Sequence, residues 1–569
     1  MKKLINDPRN VVREMLEGLT DLSPGLALMD GENVVLRAGL PPAPDRKVAV
    51  ISGGGSGHEP AHAGFVGPGL LSAAVCGDVF TSPSVDAVLA AIQATAGPAG
   101  AVLIVKNYTG DRLNFALAAE LAQAEGIPVE IVVVADDVSL RDVVPPERRR
   151  GIAGTVLVHK VAGAAAEAGA PVQEVAHLAR RAASRLGTMG VGLGACTVPA
   201  AGRPGFELAE NEIELGLGIH GEKGVERSHM RTADSLVETI LTSVSRDLDL
   251  AAGQHVALLV NGLGGTPAME LSIVARHALG WLRQRGIEVN RAWCGNLMTA
   301  LEMPGCSLSV LVLDDTLLDL LDRAAAAPGW PGSGRIPAVR AHLPRSAPPE
   351  ASVRGEAGPL AGAARRVALA IAEALEQAEA ELTRLDAHAG DGDLGASMAR
   401  GAAALRQLPD QAWATPAAAL HATGHAFRRA IAGSSGPFYA TALLRAARAL
   451  GDHPRPHADA WGDAFRMAVA SISEIGGAQA GDRTMVDALA PALDAWVAAR
   501  NSGQSGVMAW REAAVAAQEG ADRTADMHPR VGRAAYLGER VLGVPDGGAM
   551  AVAIWMAAIA DAIEAEDPA

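Results

Sequence analysis

Three acidic side chains crowd one short stretch, LDAHAGDGDLGASM, where Asp386, Asp391 and Asp393 follow a D-x4-D-x-D spacing. Asp386 closes a helix-forming run. Asp391 and Asp393 flank Gly392 in a segment whose glycines, Gly390, Gly392 and Gly395, disfavour regular helix and suit a tight turn. At ~4 Å and an effective dielectric of ~20, each close carboxylate pair costs about 4 kcal/mol unless a cation intervenes. All-oxygen ligation without His or Cys suits Mg²⁺, which commonly bridges carboxylates to nucleotide phosphates. Asp and Gly are also frequent in plain surface turns, so a bare DGD string carries little weight and the full run carries more.

A second set of reactive side chains lies in the first half. His58 sits in the glycine-rich GGGSGHEP, Lys106 and Asp111 in VLIVKNYTGDRLNF, and His220 in GLGIHGEKG. A neutral imidazole is nucleophilic near pH 7, where a lysine amine is mostly protonated. Taken singly, a histidine in a turn is more often structural than catalytic. Farther on, Ser434 and Ser435 stand between Gly433 and Gly436. They offer hydroxyls and unhindered N–H groups suited to phosphate oxygens at a helix start, or to an ordinary helix cap. No GxxxxGK[ST] string occurs, which speaks against a P-loop nucleotide site.

The elements that must hold these groups fall into two classes. Residues 1–330 alternate β-branched apolar runs with helical patterns, the mark of α/β units. Strands are predicted at Val48–Ile51, Val102–Lys106, Val129–Val134, Val256–Val260 and Leu308–Leu313. Several run into turns at Ser52–Gly55, Asn107–Gly110 and Asn261–Gly265, and strand ends of this kind are where α/β proteins bind ligands. Residues 331–358 are rich in Pro, Gly and Ser and read as a semi-extended linker. From 359 to 569 strand signals nearly vanish, and Ala-rich stretches such as ARRVALAIAEALEQAEAELTRL predict an all-helical domain.

Both halves resemble the dihydroxyacetone kinase family. The second carries LDAHAGDGDLGASM, AGSSGPFYA, GGAQAGDRTMVDAL, VGRAAYLGER and PDGGAMAVAI in the family's order, and the first carries the stretches around His58, Lys106, Asp111 and His220. The resemblance implies a two-lobed α/β substrate domain followed by an antiparallel helical-barrel nucleotide domain. It implies that Asp386, Asp391 and Asp393 ligate two Mg²⁺ ions and that Leu394, Gly395, Ala396, Ser397, Ser434 and Ser435 approach the phosphates of ATP. Gly476, Met485 and Arg533 would flank the nucleotide, with Asp546, Gly547 and Gly548 at its adenine side. There the family usually has Asp-Pro-Gly, so this turn is expected to be more flexible. In the substrate domain, Gly55, Ser56, Gly57, His58 and Lys106 would surround a ketose whose carbonyl carbon joins His220 as a hemiaminal, with Asp111 and His58 in acid–base roles. The implied reaction is ATP-dependent phosphorylation of dihydroxyacetone. A kinase of erythrulose, glyceraldehyde or another short carbonyl sugar, and a non-catalytic sugar sensor, stand as alternatives. An FAD-cyclising side activity, a homodimer and a lipid in the helical core are further implications.

Composition limits the partners. The chain is too long for one core at 569 residues, and a net charge of -15 disfavours a phosphate-backbone binder, so no nucleic acid is expected. Cys76, Cys196, Cys294 and Cys306 are scattered without CxxC spacing and read as buried free thiols in a reducing compartment. Neither a signal peptide nor an apolar run long enough to span a membrane is read, so a cytoplasmic protein without a membrane partner is expected.

Overall fold

The computed structural model describes residues 2–344 and 358–565, apart from the Arg533 side chain. The chain divides at 343/344 into two compact units, inside the stretch expected to be a linker. The start of that stretch is not free. Trp293 Nε1 donates to Gly332 O at 2.9 Å, and a Cβ on Gly334 would meet the Trp293 ring at 2.3 Å, so only glycine lets the backbone lie on the indole. Residues 345–357 lie outside the described residues.

The first unit contains two six-stranded sheets. One comprises β1 (Leu26–Leu28), β2 (Val34–Arg37), β3 (Ala49–Ser56), β4 (Ala73–Val79), β5 (Ala101–Lys106) and β6 (Val129–Val134), in the order β1-β2-β4-β3-β5-β6. Strands β4, β3, β5 and β6 run parallel, while β1 and β2 are antiparallel additions. The central strands are continuous apolar runs because both faces are covered. Ile51, Leu103 and Val105 face helices Val85–Thr95 and Thr109–Ala124, while Val50, Val102 and Ile104 face helices Thr155–Glu167 and Val172–Ala183.

The other sheet comprises β7 (Leu186–Gly192), β8 (Glu212–Leu215), β9 (Glu226–His229), β10 (His255–Gly262), β11 (Glu288–Gly295) and β12 (Gly305–Val312). Its order is β11-β10-β12-β7-β8-β9, with only β10 and β11 parallel. Leu258, Val260 and Leu308 pack under helices Ala233–Asp247 and Ala268–Gln284. Ala257, Leu259 and Leu311 on the opposite face join the core around helix Thr155–Glu167, which the two sheets share.

All five predicted strands are present, and all but Val129–Val134 are longer than expected. Ser52–Gly55, expected as a turn, forms the second half of β3, and Asn261-Gly262 ends β10. Glycine here answers to crowding rather than to a bend. A Cβ on Gly53 would stand 2.3 Å from Val75 O, and one on Gly55 would stand 2.5 Å from the Thr81 nitrogen. The thiol expectation also needs correction. Cys76, Cys196 and Cys306 are buried, but Cys294 is exposed because β11 is the edge strand.

The second unit holds nine α-helices and no strand among its described residues: Ala361–Gln377, Glu379–Ala389, Leu394–Arg406, Pro416–Ala430, Ser435–Leu450, Ala458–Gly476, Val486–Asn501, Gly506–Arg523 and Gly547–Glu564. Most pack on their sequence neighbours, and Gly547–Glu564 closes the ring against Ala361–Gln377. Short Ala side chains, among them Ala372, Ala488, Ala513, Ala517 and Ala553, line the core and let helices approach closely. Contrary to the sequence reading, Gly547–Glu564 is long and apolar enough, by length and composition, to cross a membrane. Its Ala549, Val552, Ala553 and Met556 instead belong to the core of the ring.

Candidate active site

In the first unit, β3 delivers His58 just past its carboxyl end. β5 delivers Lys106 as its last residue, and the helix Thr109–Ala124 delivers Asp111 in its first turn. Tight packing aligns them, since a Cβ built on Gly54 would stand 2.5 Å from Lys106 Nζ and 3.3 Å from Asp111 Oδ2. Ser82 Oγ donates to Asp111 Oδ1 at 2.5 Å. Lys106 is fully buried, and its Nζ donates to His62 Nε2 at 2.9 Å. Burial pulls the lysine pKa below its ordinary value, with the Asp111 charge opposing.

The other sheet completes the arrangement. The Gly57-His58 backbone pairs with the 299–301 segment, Leu301 N donating to Gly57 O at 2.7 Å and Thr299 N to His58 O at 3.1 Å. His58 Nδ1 lies 2.7 Å from Thr299 O. His220, a few residues past β8, brings its Nε2 within 3.1 Å of His58 Nε2. Its ring is enclosed by Phe80, Tyr108 and His58, with centroids 5.1, 4.7 and 4.9 Å away. On the far side His220 Nδ1 lies 3.0 Å from Glu222 Oε1, and Glu222 Oε2 accepts from the His220 backbone N–H at 2.9 Å. Burial drives the His58 pKa well below the usual imidazole value, helped by the charges of Lys106 and His220. Burial tends to raise the Glu222 pKa, but the hydrogen bond and charge of His220 outweigh it and hold the carboxyl at about 2.

Gly55, Ser56, Gly57, His58, Lys106, Asp111 and His220 thus belong to one neighbourhood. Glu222, Phe80, Thr299 and His62 share it without having been singled out from the sequence. Glu222 was visible two residues past His220, and Phe80 is a non-glycine residue at φ 59. Thr299 carried no signal.

In the second unit, Asp386, Asp391 and Asp393 each offer a carboxylate oxygen, all within 4.8 Å of one another. Asp386 lies one turn before the end of helix Glu379–Ala389, and Asp393 is the residue preceding helix Leu394–Arg406. Gly392, at φ +73, makes the turn between them. Asp386 Oδ2 accepts the N–H groups of Asp393 and Leu394 at 2.9 and 3.3 Å, which draws the loop back on the helix. Three clustered oxygens on the exposed side of a turn fit a hard divalent cation.

Around this cluster the unit gathers most of the other predicted residues. Leu394, Gly395, Ala396 and Ser397 form the first turn of the helix beside it. A Cβ on Gly547 would meet Leu394 Cδ2 at 2.9 Å, and one on Gly548 would meet Met485 Cβ at 3.8 Å, so the 546–548 turn and Met485 lie alongside. That turn is held: Asp546 Oδ1 accepts from Ala549 N at 2.9 Å, and its own N–H donates to Thr524 Oγ1 at 2.7 Å. Ser434 and Ser435 start helix Ser435–Leu450, and Ser434 makes no side-chain capping bond. Arg400 ties the helix Leu394–Arg406 to the end of the helix Pro416–Ala430, donating to Ser397 Oγ at 2.8 Å and to Ala430 O at 3.3 Å. Gly476 ends its helix against the Phe438 ring. Arg533 begins a short 3₁₀ turn, and its side chain lies outside the described residues.

Comparison with known proteins assigns each unit to a domain family. Residues 17–329 match the Dak1 domain, and residues 388–561 the DAK2 domain. A putative 3,4-dihydroxy-2-butanone kinase of Solanum lycopersicum is 44% identical over 99% of this chain and 98% of its own. A triokinase/FMN cyclase of Homo sapiens is 41% identical, and a D-erythrulose kinase of Mycolicibacterium smegmatis 38% identical, each over 99% of both chains. The crystal structure of the C. freundii dihydroxyacetone kinase in complex with AMP-PNP and Mg²⁺ is 36% identical, with a TM-score of 0.64 over 98% of this chain and 99% of that one. With relatives of this kind along its whole length, the chain belongs to the dihydroxyacetone kinase family, the kinases of small sugars that join a Dak1 and a DAK2 domain.

Proposed function

We propose that this protein transfers the γ-phosphoryl group of ATP to dihydroxyacetone, holding the ketose carbonyl on His220 as a hemiaminal. The observation that carries the reading is the pairing of His220 Nε2 with His58 Nε2 at 3.1 Å, beside a buried lysine and a carboxylate packed on Gly54. A substrate of so few atoms offers little area for binding, and addition to its carbonyl supplies affinity that contact cannot. It also rejects glycerol, which has no electrophilic carbon.

In this reading His220 Nε2 forms the bond to the carbonyl carbon, the C=O π pair moves to oxygen, and His58 supplies the proton that oxygen takes. Lys106 and the backbone of Gly55, Ser56 and Gly57 orient the hydroxyls. Asp111 accepts the proton of the terminal hydroxyl as that oxygen attacks phosphorus. Asp386, Asp391 and Asp393 would hold Mg²⁺, two ions by resemblance to the family, which neutralises phosphate charge when bound. Leu394–Ser397, Ser434 and Ser435 would carry the phosphates, while Gly476, Met485, Arg533 and Asp546–Gly548 would flank the base and ribose. We read the working protein as a cytoplasmic homodimer.

The test is ADP release by purified protein with Mg·ATP and a panel of dihydroxyacetone, erythrulose, glyceraldehyde and glycerol. Highest kcat/KM on dihydroxyacetone, none on glycerol, and no need for an added phosphocarrier are expected. A preference for erythrulose would move the assignment to the four-carbon ketose, a reading favoured by the D-erythrulose kinase among the relatives. His220→Ala should lose the covalent adduct, seen as a mass increase of one ketose on the intact protein. An adduct that persists in that variant would reject His220 as the anchor.

A further inference from the structure

Hydrogen-bond bookkeeping around the paired imidazoles points to a role for Glu222. Thr299 O can only accept, so His58 Nδ1, 2.7 Å away, must carry hydrogen. The Glu222 carboxylate also only accepts, and it takes the His220 backbone N–H as well, so His220 Nδ1 carries hydrogen too. Were both rings neutral, the two Nε2 lone pairs would face each other at 3.1 Å with nothing between them. The contact therefore requires a third proton on the pair. His58 is fully buried beside the Lys106 ammonium, whereas His220 lies against a carboxylate.

We propose that Glu222 is a positioning residue that keeps His220 as an imidazolium at rest and stabilises the cationic ring of the sugar adduct. The second half of this statement rests on the hemiaminal reading. The proton balance is closed. The Nε2 proton of His220 passes to His58 Nε2, which frees the lone pair, and that pair then bonds to the carbonyl carbon. The carbonyl π electrons move to oxygen, and oxygen takes the same proton back from His58. The product ring bears carbon on Nε2 and hydrogen on Nδ1, so it is again a cation. One positive charge thus faces Glu222 before and after bond formation.

The local backbone is built for this contact. Gly218 N donates to Glu222 O at 3.0 Å, closing a tight turn that folds Glu222 back beneath His220. A Cβ on Gly218 would stand 2.0 Å from Glu222 Oε2 and 2.6 Å from Arg150 Nη1, so a larger residue there would push the carboxylate out of this position. Phe80 and Tyr108 enclose the ring edge-on, which leaves rotation about χ2 to be set by the hydrogen bonds on Nδ1 and Nε2.

The experiment uses the full chain and two readouts. In the first, ¹⁵N-histidine NMR on ligand-free protein at neutral pH, with His220 assigned by its loss in His220→Asn, should show both nitrogens protonated. Glu222→Gln should convert that signal to a neutral ring. In the second, Glu222→Gln should lower ketose kcat/KM roughly 10- to 100-fold, the usual effect of removing the hydrogen-bond partner of a working imidazole. The KM for ATP should not change, and Glu222→Asp should recover part of the loss. Gly218→Ala, which displaces the carboxylate without removing it, should reproduce the Gln phenotype. A neutral His220 in the wild type would overturn the proposal, as would Glu222→Gln activity within about threefold of wild type. Equal losses toward ketose and ATP, with no recovery by Asp, would show a merely structural residue and also overturn it. A wild type that forms no adduct would sink the hemiaminal reading, while the NMR signal would still decide whether Glu222 holds an imidazolium.

Discussion

Gly54 is the position at which a single methyl group tests the sugar site most directly. It lies in β3 at φ +146, a backbone conformation that strains an L side chain by about 1–3 kcal/mol. In Gly54→Ala the new Cβ would begin 2.5 Å from Lys106 Nζ, and carbon–nitrogen contact needs nearly an ångström more. Lys106 cannot yield cheaply, because it is fully buried and its Nζ is bonded to His62 Nε2 at 2.9 Å. Displacing it gives up a charged hydrogen bond worth about 1.5–3 kcal/mol. If the lysine moves, ketose kcat/KM should fall by that amount, roughly 10- to 150-fold at 1.36 kcal/mol per decade. The backbone strain should appear separately, as a lower free energy of unfolding in urea. The assay is ADP release with ketose varied at saturating Mg·ATP, then ATP varied at saturating ketose. The KM for ATP should stay at the wild-type value, because the acidic cluster lies in the other unit. A variant with unchanged ketose kcat/KM and unchanged unfolding would refute the placement of Lys106 against this glycine.

Two further outcomes are expected. Asp391→Ala should abolish ATP turnover while ketose binding, followed by adduct mass or calorimetry, is retained; loss of ketose binding would contradict independent sites. Asp136 accepts the N–H groups of Ile152 and Gly154 at 2.7 and 2.9 Å, yet burial raises its pKa to about 6. Because the folded value lies above the unfolded one near 3.8, its contribution is full below pH 4 and is lost as pH rises toward 6. That amounts to about 3 kcal/mol, and Asp136→Asn should remove this component from a pH series of urea unfolding curves. Identical pH slopes in the two proteins would refute the buried-acid account.

The chain's own pattern dictated the two-part organisation, since short β-branched apolar runs and Ala-rich helical stretches pack differently. It also determined the acidic cluster, because Asp386, Asp391 and Asp393 lie within eight residues and a loop of that length must bring them together. His58, Lys106 and Asp111 were legible in the same way, as side chains at the ends of parallel strands and the start of the next helix. Other features depended on residues distant in the chain. The glycines of β3 read as a turn because the carbonyl of Val75 and the backbone of Thr81, which crowd them, belong to other segments. The meeting of His58 with His220, 162 residues away, follows from two sheets sharing one helical core, and so does the Thr299 carbonyl that fixes the His58 tautomer. A proton inventory depends on every donor and acceptor within hydrogen-bond reach, and local spacing records only those nearby in the chain.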